Sequence, residues 1–488
     1  MKKLIGMCAG ILFLGSSVQA ALVQPFGIGA RNAALGEAVS AYTTDAFAVY
    51  YNPAGLSNIK TPTLSAGMAV YDAEVYYKDF KITDSNGNDI TPQDIQNRRW
   101  KGDKDPLLNP HMGFAMPINE KFSFGVAAYA PYGFHLDTPK DPAQKPMAMN
   151  FCESYYTRVV VTPAVSYKVN DRLSLGFGVS MGRSESGASQ ATPYDPLIAA
   201  AAKKAGNYNL IQIDYNNPYI TEIEMDDSIN WSWNAGIQYQ PTDRLSLGLT
   251  YRSRTPGNFS GTWSQNGERI GRVSMDFDHP EAVQAGVRYA LTERFAMSFD
   301  MVWANWSISD YQTEIMTLDT IPENTSTTID NIALALAQGN QAQAAVIAGS
   351  IKAGLLQSNE KNLRRDWKNQ IQYKLGMEYV FNDRFTFLAG YVYDPTPVPA
   401  DTFDNMWPDN DRHIMTIGTS AKVTQNWTID FAFQHIRTFD WGYRDDINGT
   451  SENLNQTAEY LLRQEGAQMH VKNQGYLWGY NLTANYRF

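Results

Sequence analysis

Apolar and polar residues alternate along most of the chain. The clearest run is the last one, where Tyr476, Trp478, Tyr480, Leu482, Ala484, Tyr486 and Phe488 occupy every second position. Between them stand Leu477, Gly479, Asn481, Thr483, Asn485 and Arg487, mostly small or polar. A period of two places these sets on opposite faces of one strand. The same alternation follows Arg172 (Leu173, Leu175, Phe177, Val179, Met181), Arg244 (Leu245, Leu247, Leu249, Tyr251), Arg294 (Phe295, Met297, Phe299, Met301, Trp303) and Asn426 (Trp427, Ile429, Phe431, Phe433). A short polar phrase precedes each run and recurs as Asn119-Glu120-Lys121, Asn170-Asp171-Arg172, Thr242-Asp243-Arg244, Thr292-Glu293-Arg294, Asn382-Asp383-Arg384 and, less strictly, Thr424-Gln425-Asn426.

Six tight turns of this kind join six hairpins. A first strand near 62–80 and the terminal strand bring the expected number to fourteen, near 62–80, 111–118, 121–133, 155–169, 172–187, 225–240, 244–256, 273–290, 294–308, 366–381, 384–396, 411–423, 426–440 and 473–488. The other rim has long connections, at 81–110, 134–154, 188–224, 257–272, 309–365, 397–410 and 441–472. Short turns on one side and long loops on the other are the asymmetry of outer-membrane barrels. The fold class expected is all-β and transmembrane: a fourteen-stranded antiparallel barrel, apolar outside and polar within. An even strand count puts both ends on the periplasmic side. Two long loops carry helical signals. Asp195-Pro196 caps a segment ending at Gly206, and 309–365 holds apolar stripes at Ile329, Ile332, Ala333 and Leu336 and at Ile347, Ile351 and Leu355.

The head of the chain reads differently. Residues 1–20 have the form of a signal peptide: Lys2 and Lys3, an apolar stretch from Leu4 to Leu14, and small residues before Ala21. That stretch is too short to span a bilayer. Residues 21–61 form a compact, small-residue segment in which Ala30 to Ala41 suits a short helix, Asp45 caps a further turn, and Asn52-Pro53-Ala54-Gly55 makes a turn by its chemistry. Residues 62–488 are the barrel. Removing the two leader lysines takes the formal charge from −10 to −12, which argues against nucleic acid. One cysteine, Cys152, then remains, so no internal disulfide forms. A mean hydropathy of −0.37 without a long apolar run excludes helical spans but not a barrel. No metal or cofactor motif is present, and no phosphate-binding Gly-rich loop, so ATP does not drive the process. The six histidines, His111, His135, His279, His413, His435 and His470, form no recognisable nucleophile arrangement, and no catalytic residue is assigned.

Four stretches together resemble the FadL/TodX family of outer-membrane transporters for hydrophobic compounds. They are Gly36-Glu37-Ala38 through Asn52-Pro53-Ala54-Gly55-Leu56, Ala130-Pro131-Tyr132-Gly133, Tyr393-Asp394-Pro395-Thr396-Pro397-Val398-Pro399, and Pro408-Asp409-Asn410-Asp411-Arg412-His413. The resemblance implies that residues 21–61 are a hatch inside the lumen, with Asn52, Pro53, Ala54 and Gly55 in a gating role. The competing reading is that these residues merely end the last turn of the segment. The resemblance also implies a kinked third strand, for which Gly125 and Pro131 are the residues that weaken pairing. A hydrophobic molecule would be captured by the loops, pass to a lumen site and leave sideways into the outer membrane. Strand phase puts Arg158, Arg252, Arg288, Lys374 and Arg412 on the lumen side, along with Asp300, Glu378 and Asp430. Arg412, Arg158 and Lys374 are the candidate partners of a ligand carboxylate, Arg412 first because it lies in the matched Asp-Arg pair, and Phe26 is a candidate for the inner site. Pairing among these lumen charges is the competing reading. Long-chain fatty acids are the expected ligands and aromatic hydrocarbons the alternative, with a general water-filled porin as a third class. The expected partners are a hydrophobic small molecule and outer-membrane lipid, and the expected state is a monomer in the outer membrane of a Gram-negative bacterium.

Overall fold

A computed structural model describes residues 27–93, 99–102, 106–399, 402, 409–438 and 452–488. The leader, Phe26 and Pro408 lie outside the described residues. Fourteen strands form a closed cylinder: β1 Thr63–Thr83, β2 Leu107–Pro117, β3 Phe122–Asp137, β4 Glu153–Asn170, β5 Leu173–Thr192, β6 Tyr219–Thr242, β7 Leu245–Arg252, β8 Ala282–Ala290, β9 Phe295–Ala304, β10 Gln370–Val380, β11 Phe385–Asp394, β12 Arg412–Lys422, β13 Trp427–Thr438 and β14 Gln468–Arg487. Each pairs antiparallel with its neighbour in sequence, and β14 closes onto β1 from Thr63↔Arg487 to Thr83↔Gln468.

The repeated polar phrase is the device that turns the chain. In all six turns the first side-chain oxygen accepts from the backbone N–H groups two and three residues on. Asn119 does so from Lys121 and Phe122, both at 2.9 Å. Asn170, Thr242, Thr292, Asn382 and Thr424 repeat the pattern. A side chain thus satisfies donors that the hairpin bend leaves without strand partners.

The pleat then sorts the faces. On β14, Asn481 and Thr483 are buried while Tyr480 and Leu482 are 46% and 54% exposed. Exposed apolar side chains on a closed barrel face lipid. Aromatic pairs form a lower girdle (Phe122 with Tyr167, Trp427 with Tyr486, Phe114 with Phe488) and an upper one (Phe433 with Trp478, Tyr373 with Tyr393). From Tyr486 to Trp478 is about 26 Å along a strand, or about 20 Å in height after tilting, which suits an apolar band of roughly 25 Å.

One expected strand is divided. Residues 273–290 do not run straight through: Glu268–Asp276 is a loop strand, and β8 begins only at Ala282. Pro280 has no N–H for a ladder, and His279 makes an isolated bridge to Thr255 instead. The expected loop 257–272 contains a hairpin, Asn258–Gln265 with Glu268–Asp276, turning at Asn266-Gly267 with both φ positive. This hairpin and the strands Tyr311–Leu318 and Glu360-containing Asn359–Arg364 extend the sheet outward from β6. Above it lie helices at Pro196–Lys204, Glu323–Leu336 and Gln341–Leu355. Their apolar stripes pack on one another, with Ile198, Ile329, Ala333, Ala344 and Ala348 buried together.

Candidate functional site

Residues 27–58 cross the bore. They form two short helices, Ala30–Ala34 and Ala48–Tyr51, and a 3₁₀ turn, Pro53–Asn58. The expected helix from Ala30 to Ala41 is cut short because Gly36 and Glu37 both take positive φ. Such an irregular segment cannot pair its own backbone, so the polar inner face of the wall does so. Ala30 N–H donates to Thr483 Oγ1 on β14 at 2.9 Å, and Thr416 Oγ1 on β12 donates to Ala34 O at 2.8 Å. Ser40 N–H donates to Asp300 on β9 at 3.0 Å, Asn234 Nδ2 on β6 donates to Val49 O at 2.6 Å, and Thr250 Oγ1 on β7 donates to Tyr51 O at 2.9 Å. Charges bind the same two layers. Arg31 meets Glu378 at 2.7 Å, Arg288 shares that carboxylate at 3.3 Å, and Lys374 lies 3.5 Å from Glu37.

A belt of inward-facing glycines makes this contact possible. A β-carbon at Gly376 would lie 2.7 Å from Leu35 O, and one at Gly125 would lie 2.7 Å from Leu56 and 2.8 Å from Val49. At Gly176 it would overlap the Pro53–Ala54 peptide, at Gly248 the Ser40 carbonyl, and at Gly390 the Gly36 amide. Gly176 faces Gly236 across β5 and β6, and Gly376 faces Gly390 across β10 and β11. The wall gives up side chains where the segment's backbone presses against it.

The Asn52 turn sits in that belt. Asn52 is fully buried and extended at φ −163°, and caps the 3₁₀ turn by accepting from Ala54 N–H at 3.1 Å. Its Nδ2 donates to Ser40 O at 2.8 Å, within the segment, and to Ile237 O at 3.0 Å, in the wall. Pro53 and Ala54 lie against Gly176, and a β-carbon at Gly55 would meet Thr43 at 2.9 Å and Gln238 at 3.1 Å. These four residues, singled out in the sequence for a gating role, thus form the 3₁₀ turn and its cap, seated against β5 and β6.

The wall is interrupted beside this segment. β2 and β3 pair from Pro117↔Ser123 only up to Met112↔Ala128. Above that point β2 continues with β1 as far as Leu107, and β3 continues with β4 as far as Asp137. Among the described residues, then, Leu107–His111 and Tyr129–Asp137 face each other across no ladder. The β3–β4 register also slips between Tyr129 and Tyr132. Pro131 falls in that slip, whereas Gly125 lies in regular ladder on both sides, opposite Ala115 and Ala164, and serves as a seat for Leu56.

Two cavities lie inside the barrel and its loops, and the inner one touches the slipped strand. The outer one, about 490 Å³, lies among the loops and is lined by Met225, Met275, Met316, Trp263, Tyr194 and Tyr460, with Arg365 and Lys361 at its edge. The inner one, about 40 Å³, is enclosed by Glu37 and Tyr50 of the N-terminal segment, Tyr132 of the slipped strand, and Arg252, Lys374 and Asp394. Between them stands an aromatic group: His279 stacks on Tyr132 at 3.8 Å and bonds the Tyr156 hydroxyl, with Phe259, Phe277, Trp306 and Trp367 packed around. Burial and the nearby Arg158 charge hold His279 well below the ordinary histidine range, so it stays neutral. Sequence reasoning missed this group. Its members come from six separate stretches, around 132, 156, 259, 277–279, 306 and 367, and only His279-Pro280 interrupts a pattern.

The candidate cations differ in their engagements. Arg412 is buried between Asp394, which accepts from Nε at 2.9 Å and from Nη2, and Asp409 at 3.3 Å. Lys374 faces Glu37. Arg158, 3% exposed, donates to Asn230 at 2.7 Å and Ser232 at 3.1 Å, and no carboxylate among the described residues lies within ion-pair distance of it. It is paired in register with Tyr132, directly under the aromatic group. Phe26, the candidate for the inner site, lies outside the described residues.

The sequence profile described as outer membrane protein transport protein (OMPP1/FadL/TodX) matches residues 14–488. The chain belongs to the OMPP1/FadL/TodX family. Similar relatives include the long-chain fatty acid transport protein of Escherichia coli K12, 24% identical over 93% of this chain and 92% of that one. Outer membrane protein P1 of Haemophilus influenzae is 21% identical over 97% and 95% of the two chains. Among solved structures, a Pseudomonas aeruginosa FadL homologue superposes at a TM-score of 0.70 with 18% identity, covering 97% of this chain and all of that one. The Ralstonia pickettii toluene transporter TbuX superposes at 0.61 with 13% identity, over 95% and 99%. This FadL/TodX family member is therefore a β-barrel transport protein of the Gram-negative outer membrane.

Proposed function

We propose that the protein takes up hydrophobic molecules, long-chain fatty acids foremost, by passive transfer: capture in the outer cavity, passage through the aromatic group to the inner site, and sideways release through the β2–β3 slot. The observation that carries this reading is the coincidence, at one height of the barrel, of the slot, the slipped strand and the inner cavity. An outer cavity of about 490 Å³ falls within the usual range for small-molecule sites, and its methionines adapt to varied apolar shapes. The inner cavity of about 40 Å³ holds little more than a water. Passage therefore requires Tyr50, Tyr132 or the Asn52 turn to move, which gives residues 21–61 the role of a hatch and Asn52, Pro53, Ala54 and Gly55 that of its latch. Moving along apolar walls spares the solute repeated exposure to water at ~25 cal/mol per Å². This is transport without catalysis, by a monomer.

Arg158 is the preferred reader of a carboxylate, ahead of Arg412 and Lys374, which carboxylates of the protein already face. The second reading, an aromatic-hydrocarbon channel, is favoured by the ring-lined passage. Mass spectrometry of molecules retained by the detergent-solubilised protein separates the two. Fatty acid retained by the wild type and reduced about ten- to a hundred-fold in Arg158→Gln is the expected result, since a charge-assisted hydrogen bond contributes roughly 1.5–3 kcal/mol. Retention of neutral hydrocarbon only, unchanged in Arg158→Gln, supports the second reading, and recovery of neither class contradicts both.

A further inference from the structure

Above the upper aromatic girdle, the outer surface of β1, β13 and β14 carries a concentration of cations. Lys78 on β1 stands directly opposite Lys472 on β14, and Lys81 opposite His470. The alternate residues Tyr77, Phe80, Met469 and Val471 point inward and are buried, so the lysines lie on the outside. Arg437, exposed on β13, is opposite Tyr476. The Arg99 guanidinium lies 3.6 Å from the centroid of the Tyr76 ring and Lys101 Nζ 5.5 Å from it, with Lys101 also paired to Glu74 at 2.7 Å.

Among the described residues, six Lys and Arg side chains thus share this face with three carboxylates, Asp72, Glu74 and Asp79, in a protein whose formal charge is −10. Like charges opposite one another destabilise a strand pair, and Asp79 approaches Lys472 only to 3.9 Å. The far wall has the opposite sign at a comparable level. There Glu185 faces Asp226, and Glu222 and Glu224 follow on the same outer face. Arg183 and Lys140 offset part of that charge, so among the described residues the two walls carry net charge of opposite sign at this level.

Position identifies the partner. Tyr476 to Lys472 is about 13 Å along the strand, or about 10 Å in height after tilting. Side chains at that level lie in the head-group layer, while Trp478, Tyr480 and Leu482 below them contact acyl chains. We propose that this face binds the phosphorylated glycolipid of the outer leaflet, with its phosphates among Lys78, Lys472 and Arg437 and its acyl chains along Trp478, Tyr480 and Leu482. The site adjoins β2, one side of the wall slot, so the bound lipid would border the place where a solute leaves the barrel.

Native mass spectrometry of the full-length protein in detergent, titrated with bisphosphorylated lipid A, lipid A stripped of phosphate, and phosphatidylcholine, tests this. The wild type is expected to retain the bisphosphorylated lipid preferentially, with binding that weakens as salt rises. A Lys78→Gln/Lys472→Gln/Arg437→Gln variant is expected to lose on the order of a hundred-fold in affinity, and the same three positions filled with the alternative cation, Lys→Arg and Arg→Lys, to keep most of it. Arg183→Gln, on the acidic far wall, is the control and is expected to bind as the wild type does. Heat-resistant gel mobility confirms that each barrel is closed. Equal binding of phosphorylated and stripped lipid A, undiminished binding by the triple variant, an equal loss in Arg183→Gln, or binding of inorganic phosphate without lipid A would each overturn the proposal.

Discussion

Asn52→Ala is the perturbation that tests the latch. The side chain makes three hydrogen bonds, but truncation does not orphan three groups. Ser40 O keeps a donor, Gln238 Nε2 at 3.1 Å, and Ile237 O belongs to a strand whose ladders are intact. Of these groups, the Ala54 N–H alone loses its acceptor in a buried place. Two lost bonds at about 1 kcal/mol each, plus about 1–3 kcal/mol for the stranded donor, put the cost near 3–5 kcal/mol. Some of that is recovered if water enters. Even 3 kcal/mol multiplies the undocked population about a hundred-fold. Planar-bilayer recording should therefore show higher and noisier conductance than the wild type, together with slower uptake of labelled oleate because the inner site is less well organised. Asn52→Asp should be intermediate, since it keeps the acceptor for Ala54 and loses the two donor bonds. Wild-type conductance and wild-type uptake in Asn52→Ala, with the barrel folded, would refute the latch.

Two further expectations concern charge. Asp394→Asn should destabilise the protein by about 3–5 kcal/mol in denaturant unfolding, because it takes from the buried Arg412 the carboxylate that accepts from both Nε and Nη2. Asp409→Asn should cost less, since burial already pushes that carboxyl above the usual carboxylate range and weakens its ionised form. For His279 the folded pKa is depressed, so its contribution is present above the unfolded value near 6.5 and is lost as pH falls toward the folded one. The thermal midpoint should drop between pH 7.5 and 5.5, and His279→Phe should flatten that dependence.

The barrel was legible because its signals are local and repeated. Period-two alternation and an Asn or Thr at the head of each turn recur six times, and each occurrence does the same work in the structure. The loop hairpin at Asn266-Gly267 was equally legible in principle, since Asn-Gly is the sequence of a two-residue turn with positive φ, but its strands are short and irregularly patterned. The break at Pro280 follows from missing-donor chemistry overridden in the reading by the alternation on either side. What sequence could not reveal is convergence from afar. The glycine belt looks like ordinary small lumen residues until Pro53, Ser40 and Leu35 are seen against it. The aromatic group joins Tyr132, Tyr156, His279 and Trp367 across more than two hundred residues. Phase alone put Arg158, Lys374 and Arg412 in one class; only distances separate the cation already held by two carboxylates from the one held by an amide and a hydroxyl.

Sideways release is the claim on which the account turns, and bridging the slot tests it most directly. A Pro110→Cys/Ala130→Cys variant, linked by a short bis-maleimide across the β2–β3 slot, leaves the buried Cys152 untouched. Uptake of labelled oleate should fall to near the level of cells lacking the protein when the bridge is in place, while each single-cysteine variant treated with the same reagent transports normally. Full uptake with the bridge quantitatively formed would mean that the solute leaves by another route.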